Sequence, residues 1–453
     1  MFDSFRDAVT RAQKHGDLYF AALLEPQHIL EAFGAASSLW QGWIYTPAVT
    51  VWVFLSQCLS ADHSCTDAVA RLIAWRVSQG ESPCSADTSA YCTARNELPE
   101  EVCHELVRRT GRDLEAAASA EWLWHDRHVR VVDGSTLGMA DTPANQAAYP
   151  QAKTQRPGCG FPIARILVVF SLATGAVVEA AIGKYQGKKT GENSLFRQLH
   201  HVLQTGDVVL ADRHFCSWFD IALLAQRGVE VVLRQHQRRA TDFRTGKRLG
   251  HDDHVVRWRK PLRPEWMSLP QYAALPKELE IRELRTQVKR RGFRSKTVIV
   301  VTTFLDPQEF PAEELAELYR RRWGAELQLR SLKVDLQMDH LRCKAPHRVR
   351  NEFFMHLLAY NLIRRVMLLA ALNRKVPPWQ ISFKVALQTL NNFLPLLVSC
   401  MSVDVGCQAL VQSVAAHVVG NRPNRFEPRR IKRRPKPHQL LQLPRREYQR
   451  QMK

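Results

Sequence analysis

The feature that most constrains how this chain can fold is a change of hydrophobic period near residue 128. Up to about residue 115, apolar residues recur at helical spacing, as in TPAVTVWVFLSQCLS and DAVARLIAWRV, with Ser85 or Asp87 placed to cap the helix that follows. From 128 the period shortens to that of strands. VRVVDGS, ARILVVFSL and AVVEAAIG read as successive strands, and the ATG between the last two supplies hairpin turn residues. ENSLFRQLHHVLQ then has helical spacing, GDVVLAD is a short buried strand, WFDIALLAQRG is a helix ending at Gly228, and VEVVLR is a further strand. Three strands in succession imply an antiparallel meander, and the full order, βββαβαβ, places the chain in the α/β class.

After Arg234 the pattern breaks into a basic, proline-punctuated stretch with the strand-like pieces HVVRWRK and LEIRELRTQV, and SKTVIVVTTFL restores a strong strand. Residues 235–296 therefore read as a basic β-rich insertion. PAEELAELYRRRWGAELQLRSLKVDL starts with a proline at the first helical position after Phe310 and continues as one long helix, the last of the core. The resulting division is a helical N-terminal domain over 1–115, a core over 116–234 and 297–345 split by the insertion, and a C-terminal helical region over 346–420. A tail over 421–453 follows. Its last 32 residues hold five prolines, so it is expected to be extended or disordered until bound.

Charge follows the same partition. The formal net charge is +20, but residues 234–296 carry 18 Lys/Arg against 7 Asp/Glu and residues 422–453 carry 12 against 2, so the remainder is close to neutral. Positive charge confined to two segments suits phosphate neutralisation with counterion release. The ten cysteines form no CxxC pair, which indicates neither a zinc site nor a disulfide framework and fits a reducing, cytoplasmic compartment. MFDSFRDAVTRAQ lacks the basic start and apolar core of a signal peptide. FFMHLLAYNLIRRVMLLAAL is split by Arg364 and Arg365, so it reads as a buried amphipathic helix and no membrane partner is expected.

The element order places three acids: Asp133 in VVDGS on the first strand, Asp212 in VLADRHF at the end of the fourth, and Glu326 in RRWGAELQ on the late helix. That is the arrangement of ribonuclease H-like nucleases. In it the first and fourth strands are neighbours, so residues 79 apart meet and the late helix lays a carboxylate across them. Phosphodiester chemistry needs oxygen ligands, because Mg²⁺ is hard and shares its shell with substrate phosphate. Two ions roughly 4 Å apart can activate the attacking water or 3′ hydroxyl and stabilise the leaving oxygen. The expected cofactor is Mg²⁺ or Mn²⁺, two ions per site, on Asp133, Asp212 and Glu326.

An Asp at a strand end is usually a turn former or a cap. What singles out this set is the helix of Glu326, where Tyr319, Arg322, Glu326 and Lys333 follow the spacing Y-x2-R-x3-E-x6-K. At about 100° per residue they fall within roughly 60° of one another along about 21 Å of helix. A solvated face has no use for the tyrosine, and a core face does not hold the three charges. A DNA-binding face uses all four, the arginine as a fork for phosphate, the lysine as a point charge and the tyrosine as a ring near a displaced nucleotide.

With these residues the sequence resembles the DDE transposases of family four of the bacterial insertion sequences, which carry this YREK signature. The DGS and ADR contexts of the two aspartates are also similar to that family's. The resemblance covers about residues 128–375, including LRCKAPHRVRNEFFMHLLAYNLIRR, and is weaker over the N-terminal helices and the tail. It implies a ribonuclease H-like core with a β-rich insertion between the fifth strand and the Glu helix. It further implies double-stranded DNA partners (terminal inverted repeats and target), a homodimer that synapses two ends with catalysis in trans, and a DNA hairpin intermediate. The N-terminal helices would bind DNA ends, and the protein would be cytoplasmic and associated with the bacterial nucleoid.

Base flipping requires a stacking ring, for which Trp258, Trp266 and Trp323 are the candidates. Arg213, directly after the second aspartate, is placed either for DNA phosphate or for a structural salt bridge. His200, His201 and His214 read as structural or solvated, Glu192 as a helix-start residue and Asp141 as a loop residue. Two other functions stay open at this level: a related nuclease that hydrolyses without strand transfer, and a catalytically silent DNA-binding relic that represses its own element.

Overall fold

The computed structural model describes residues 1–287, 297–399, 401–419 and 441–451. Helices α1 (Phe2–His15), α2 (Pro26–Phe33), α3 (Pro47–Leu59), α4 (Cys65–Ser78), α5 (Ser89–Glu97) and α6 (Glu100–Ala116) precede the first strand. The N-cap residue of α5 is Thr88 rather than the expected Ser85 or Asp87, and Asp87 Oδ1 accepts from Ser89 N at 2.6 Å. The strands β1 (Val129–Met139), β2 (Ile163–Ser171), β3 (Val177–Lys184), β4 (Val208–Ala211) and β5 (Glu230–Arg234) follow. Between them lie α7 (Pro143–Ala148) after β1, α8 (Glu192–Leu199) before β4 and α9 (Trp218–Ala225) before β5. The meander is antiparallel, β1 pairs in parallel with β4, and β4 pairs in parallel with β5, each parallel connection carrying a helix.

The insertion joins the same sheet. β6 (Lys247–Gly250), β7 (Asp253–Arg259), the short α10 (Leu269–Ala274) and β8 (Glu278–Gln287) are linked to β5 through β9 (Thr297–Thr302), giving the order β3-β2-β1-β4-β5-β9-β8-β7-β6. Residues 288–296, read as part of the insertion, lie outside the described residues. After β9 come α11 (Ala312–Arg321), α12 (Trp323–Arg330) and a π-helical turn at Ser331–Asp335. The two-residue β10 (His340–Leu341) then pairs with the end of β1.

Side chains alternate across each strand. Val129, Val131, Val208, Leu210 and Val232 face a helical layer, while Val132, Val209, Ala211, Val231 and Leu233 face α8 and α9. The helical layer is built from both ends of the chain. α13 (Pro346–Arg374) packs against α3, α6, α14 (Phe383–Ser399) and α15 (Val403–Ala415) in one continuous core. Helices from the N-terminal and C-terminal regions thus share one core.

α13 is buried around its whole circumference, so the expected amphipathic helix is buried but not amphipathic. Arg364 Nε donates to Tyr360 Oη at 2.9 Å and Arg365 Nη1 to Leu23 O at 2.8 Å, which lets both guanidinia sit inside. Among the described residues, α13 alone is long and apolar enough to cross a membrane. The tail is helical at α16 (Arg445–Gln451), where a chain extended or disordered until bound was expected; Glu447 lies 3.8 Å from Arg156. Residues 420–440, 452 and 453 of that tail lie outside the described residues.

Candidate active site

The parallel pairing of β1 with β4 sets Val132 opposite Ala211. Asp133 is the next residue of β1, where alternation points it toward the helical-layer face, and Asp212 is the first residue past β4. The register is pinned at the other end by a buried charge network. Arg130 Nε donates to Asp207 Oδ2 at 3.0 Å and its Nη1 to Glu115, so β1, the start of β4 and the end of α6 are tied together. Asp133 Oδ1 accepts from Gly134 N at 2.9 Å, and Asp212 Oδ1 accepts from His214 N at 2.7 Å, capping a short 3₁₀ turn. Burial pushes the Asp133 carboxyl up to about 6, and the like charges of Asp212 and Glu326 add to it against the pull of Arg322 and the Gly134 N–H.

A side chain at Gly134 would displace the Glu192 carboxylate. A Cβ would lie 2.7 Å from Cδ of Glu192, the first residue of α8, whose carboxylate is held by Arg165 at 2.9 Å. Glu192 is thus a helix-start residue, as expected, and Asp141 is a loop residue that accepts from Gln146.

The Glu helix differs from the single continuous helix of the sequence reading. Pro311 is its N-cap rather than its first residue. At Arg322 the backbone tightens, with Arg322 N bonded to Tyr319 O and Ala325 N to Arg322 O, and beyond Arg330 it widens into the π turn that carries Lys333. Tyr319 and Arg322 are buried, and Glu326 is exposed. Burial raises the Tyr319 phenol above its ordinary range. Burial also opposes the Arg322 charge, yet Tyr319, Asp133, Glu326 and Asp212 around it raise its pKa above the usual guanidinium value. Lys333 Nζ donates to Ser135 Oγ at 3.2 Å and Thr136 O at 3.0 Å, tying the π turn to β1 two residues past Asp133. The structure therefore brings together Asp133, Asp212, Tyr319, Arg322, Glu326 and Lys333.

Arg213 is exposed beside Asp212 and, among the described residues, makes no ion pair, so the structural salt bridge is absent. The tryptophans separate. Trp258 is 4% exposed, donates its indole N–H to Glu283 Oε1 at 2.9 Å and lies under Arg239, so it is a core residue of the insertion and is not open for stacking. Trp266 is half-buried, with Arg197 packed 3.7 Å over its ring. Trp323 is half-buried on the Glu helix with Arg322 near its ring. Ser135, Gly134 and the Arg130 network escaped the sequence reading. The DGS tripeptide carried a signal for the first two, but nothing local links Arg130 to Asp207.

Among the described residues, no three His, Cys, Asp or Glu side chains lie close enough to hold an ion between them. The acids of this site are nonetheless oxygen donors only, and burial with the like charges of Asp212 and Glu326 raises the Asp133 pKa against the pull of Arg322. Carboxylate oxygens are the donors that a hard divalent cation takes.

Over 300 residues the chain is 29% identical to the transposase InsG for insertion sequence element IS4 of Escherichia coli (strain K12), covering 65% of this chain and 64% of that protein. It thus spans less than two thirds of that relative's length. A shorter stretch of 110 residues is 34% identical to the transposase for insertion sequence element IS421 of Escherichia coli, covering 23% of this chain and 29% of that one. Among solved structures, a piggyBac transposase synaptic complex with hairpin DNA aligns at a TM-score of 0.42 and 11% identity, over 86% of this chain and 82% of that one. With residues 124–362, more than half of its length, matching the family described as Transposase DDE domain, this chain belongs to that family.

Proposed function

We propose that the protein is a cut-and-paste transposase with a ribonuclease H-like core, which binds terminal inverted repeats of double-stranded DNA, cleaves them and joins the freed 3′ ends to a target. The observation that carries this reading is the β1–β4 pairing, which sets Asp133 beside Asp212 on the face covered by the Glu326 helix. Asp133, Asp212 and Glu326 would hold two Mg²⁺ or Mn²⁺ ions. When bound, such ions lower the pKa of the attacking water or 3′ hydroxyl and stabilise the leaving oxygen.

The chain's own residues do the rest. Arg322, buried and fork-shaped, and the exposed Arg213 grip phosphate oxygens on either side of the scissile bond. Lys333 holds the helix to β1, so that Glu326 keeps its place over the aspartates, and adds positive charge toward the DNA. Tyr319 offers a ring and hydroxyl to a displaced nucleotide, with Trp323 and Trp266 the remaining candidates for stacking. The basic insertion supplies sequence-independent affinity. A homodimer that synapses two ends, catalysis in trans and a hairpin intermediate belong to the same reading, as does action on DNA in the cytoplasm.

The intact set of three acids favours an enzyme over a DNA-binding relic, because binding alone needs the basic segments and not the carboxylates. Strand transfer is tested with pre-cleaved, labelled element ends, a supercoiled plasmid and Mg²⁺. Joined product is expected. Hydrolysis with no joined product would assign a nuclease instead.

A further inference from the structure

The site contains a counterion of its own. Arg322 is 9% exposed, its Nη2 lies 3.4 Å from Glu326 Oε1, and its buried Nε has no hydrogen-bond partner. Asp133 and Asp212 lie within reach of the same guanidinium. Glu326 has 53% of its side chain exposed, and among the described residues its one ion pair is with Arg322. No three of the acids are close enough to cage an ion among the described residues. Arg322 therefore stands among the acids, and it holds the carboxylate that a cation needs.

From this geometry we infer that Arg322 takes the electrostatic place of the divalent cation in the resting protein and competes with it for Glu326. The inference rests on the reading of Asp133, Asp212 and Glu326 as metal ligands. Its consequence is an exchange. As Glu326 turns to the metal, the guanidinium loses its acceptor and is left with Nη2 and Nε both unpartnered, a two-pronged donor that a phosphate oxygen pair satisfies. Metal loading and the arming of Arg322 for DNA are then one event, and the arginine lowers metal affinity until that event occurs. The 3.4 Å separation fits a pair that is held and readily exchanged, since charged hydrogen bonds at their strongest are shorter.

The test is Mn²⁺ binding by the DNA-free, full-length protein, with free Mn²⁺ followed by electron paramagnetic resonance. Arg322→Gln should bind Mn²⁺ about tenfold more tightly than wild type, equivalent to about 1.4 kcal/mol. Equal or weaker binding by an Arg322→Gln variant with wild-type circular dichroism overturns the inference. A second measurement needs no variant: modification of Arg322 by phenylglyoxal, mapped by mass spectrometry, should rise when wild type is saturated with Mn²⁺. Unchanged or reduced modification overturns the exchange. Asp212→Asn is the control on the underlying reading and should lose Mn²⁺ binding. If it retains wild-type affinity, the ligand assignment fails whatever the arginine does.

Discussion

Replacing Arg130 with methionine probes the network that aligns the two catalytic strands. Its guanidinium is 6% exposed and lies between Asp207 and Glu115, while His128 Nδ1 stands 3.5 Å from the same Glu115 carboxylate. Burial alone would raise the Glu115 pKa. The hydrogen bond to His128 and the charge of Arg130 outweigh it and bring the carboxyl from 4.5 down to about 2. At about 1.4 kcal/mol per unit, that shift corresponds to about 3 kcal/mol. Because the folded pKa is depressed, this contribution is complete above the unfolded value near 4.5 and is lost as pH falls toward 2. Arg130→Met also strands Asp207, so the expected cost at neutral pH is about 3–5 kcal/mol, the range for an unpaired buried charge.

The assay is equilibrium urea unfolding of both proteins, followed by tryptophan fluorescence, at neutral pH and again well below the Glu115 unfolded pKa. The gap between wild type and variant should shrink in acid, where the Glu115 carboxylate takes up a proton. A gap below about 1 kcal/mol at neutral pH would refute the reasoning, given the range expected for stranding a buried charge. So would a gap that does not change with pH.

Gly134→Ala should destabilise the protein by up to about 1 kcal/mol, because the new methyl meets the Glu192 carboxyl at 2.7 Å and shifts it from Arg165. Adding Glu192→Ala should recover most of the loss in a double-mutant cycle, and strictly additive effects would contradict the contact. Lys333→Met removes a charged donor from Ser135 and Thr136 and should cost about 1–3 kcal/mol, read as a lower thermal midpoint. An unchanged midpoint would mean that Lys333 does not hold the helix to β1.

The parts of this fold that were legible in the sequence are those with a local period. Strands β1 to β5 and helices α8 and α9 announce themselves as short apolar runs between turn residues, and the order of those runs was enough to bring Asp133 and Asp212 together. The break at Arg322 was not legible. Tightening by one turn and widening in the next leaves the apolar period nearly intact, and Gly324 two residues on is a weak signal. The shared core of the N- and C-terminal helices was hidden for a different reason. An apolar stripe states that a face is buried but not against what, so α6 and α13 read as separate regions. Trp258 shows the same limit in one residue: its partner, Glu283, lies on the neighbouring strand, and composition says nothing of that pairing. Arg130 and Asp207 meet only because the sheet order brings β1 beside β4.

The central claim is that Asp133, Asp212 and Glu326 form the reacting centre. It is tested most directly by DNA cleavage at an element end in Mg²⁺, with wild type and Asp212→Ala compared side by side and DNA binding measured on the same samples. Loss of cleavage by Asp212→Ala with binding unchanged is the predicted result. Cleavage by Asp212→Ala at the wild-type rate would contradict the account.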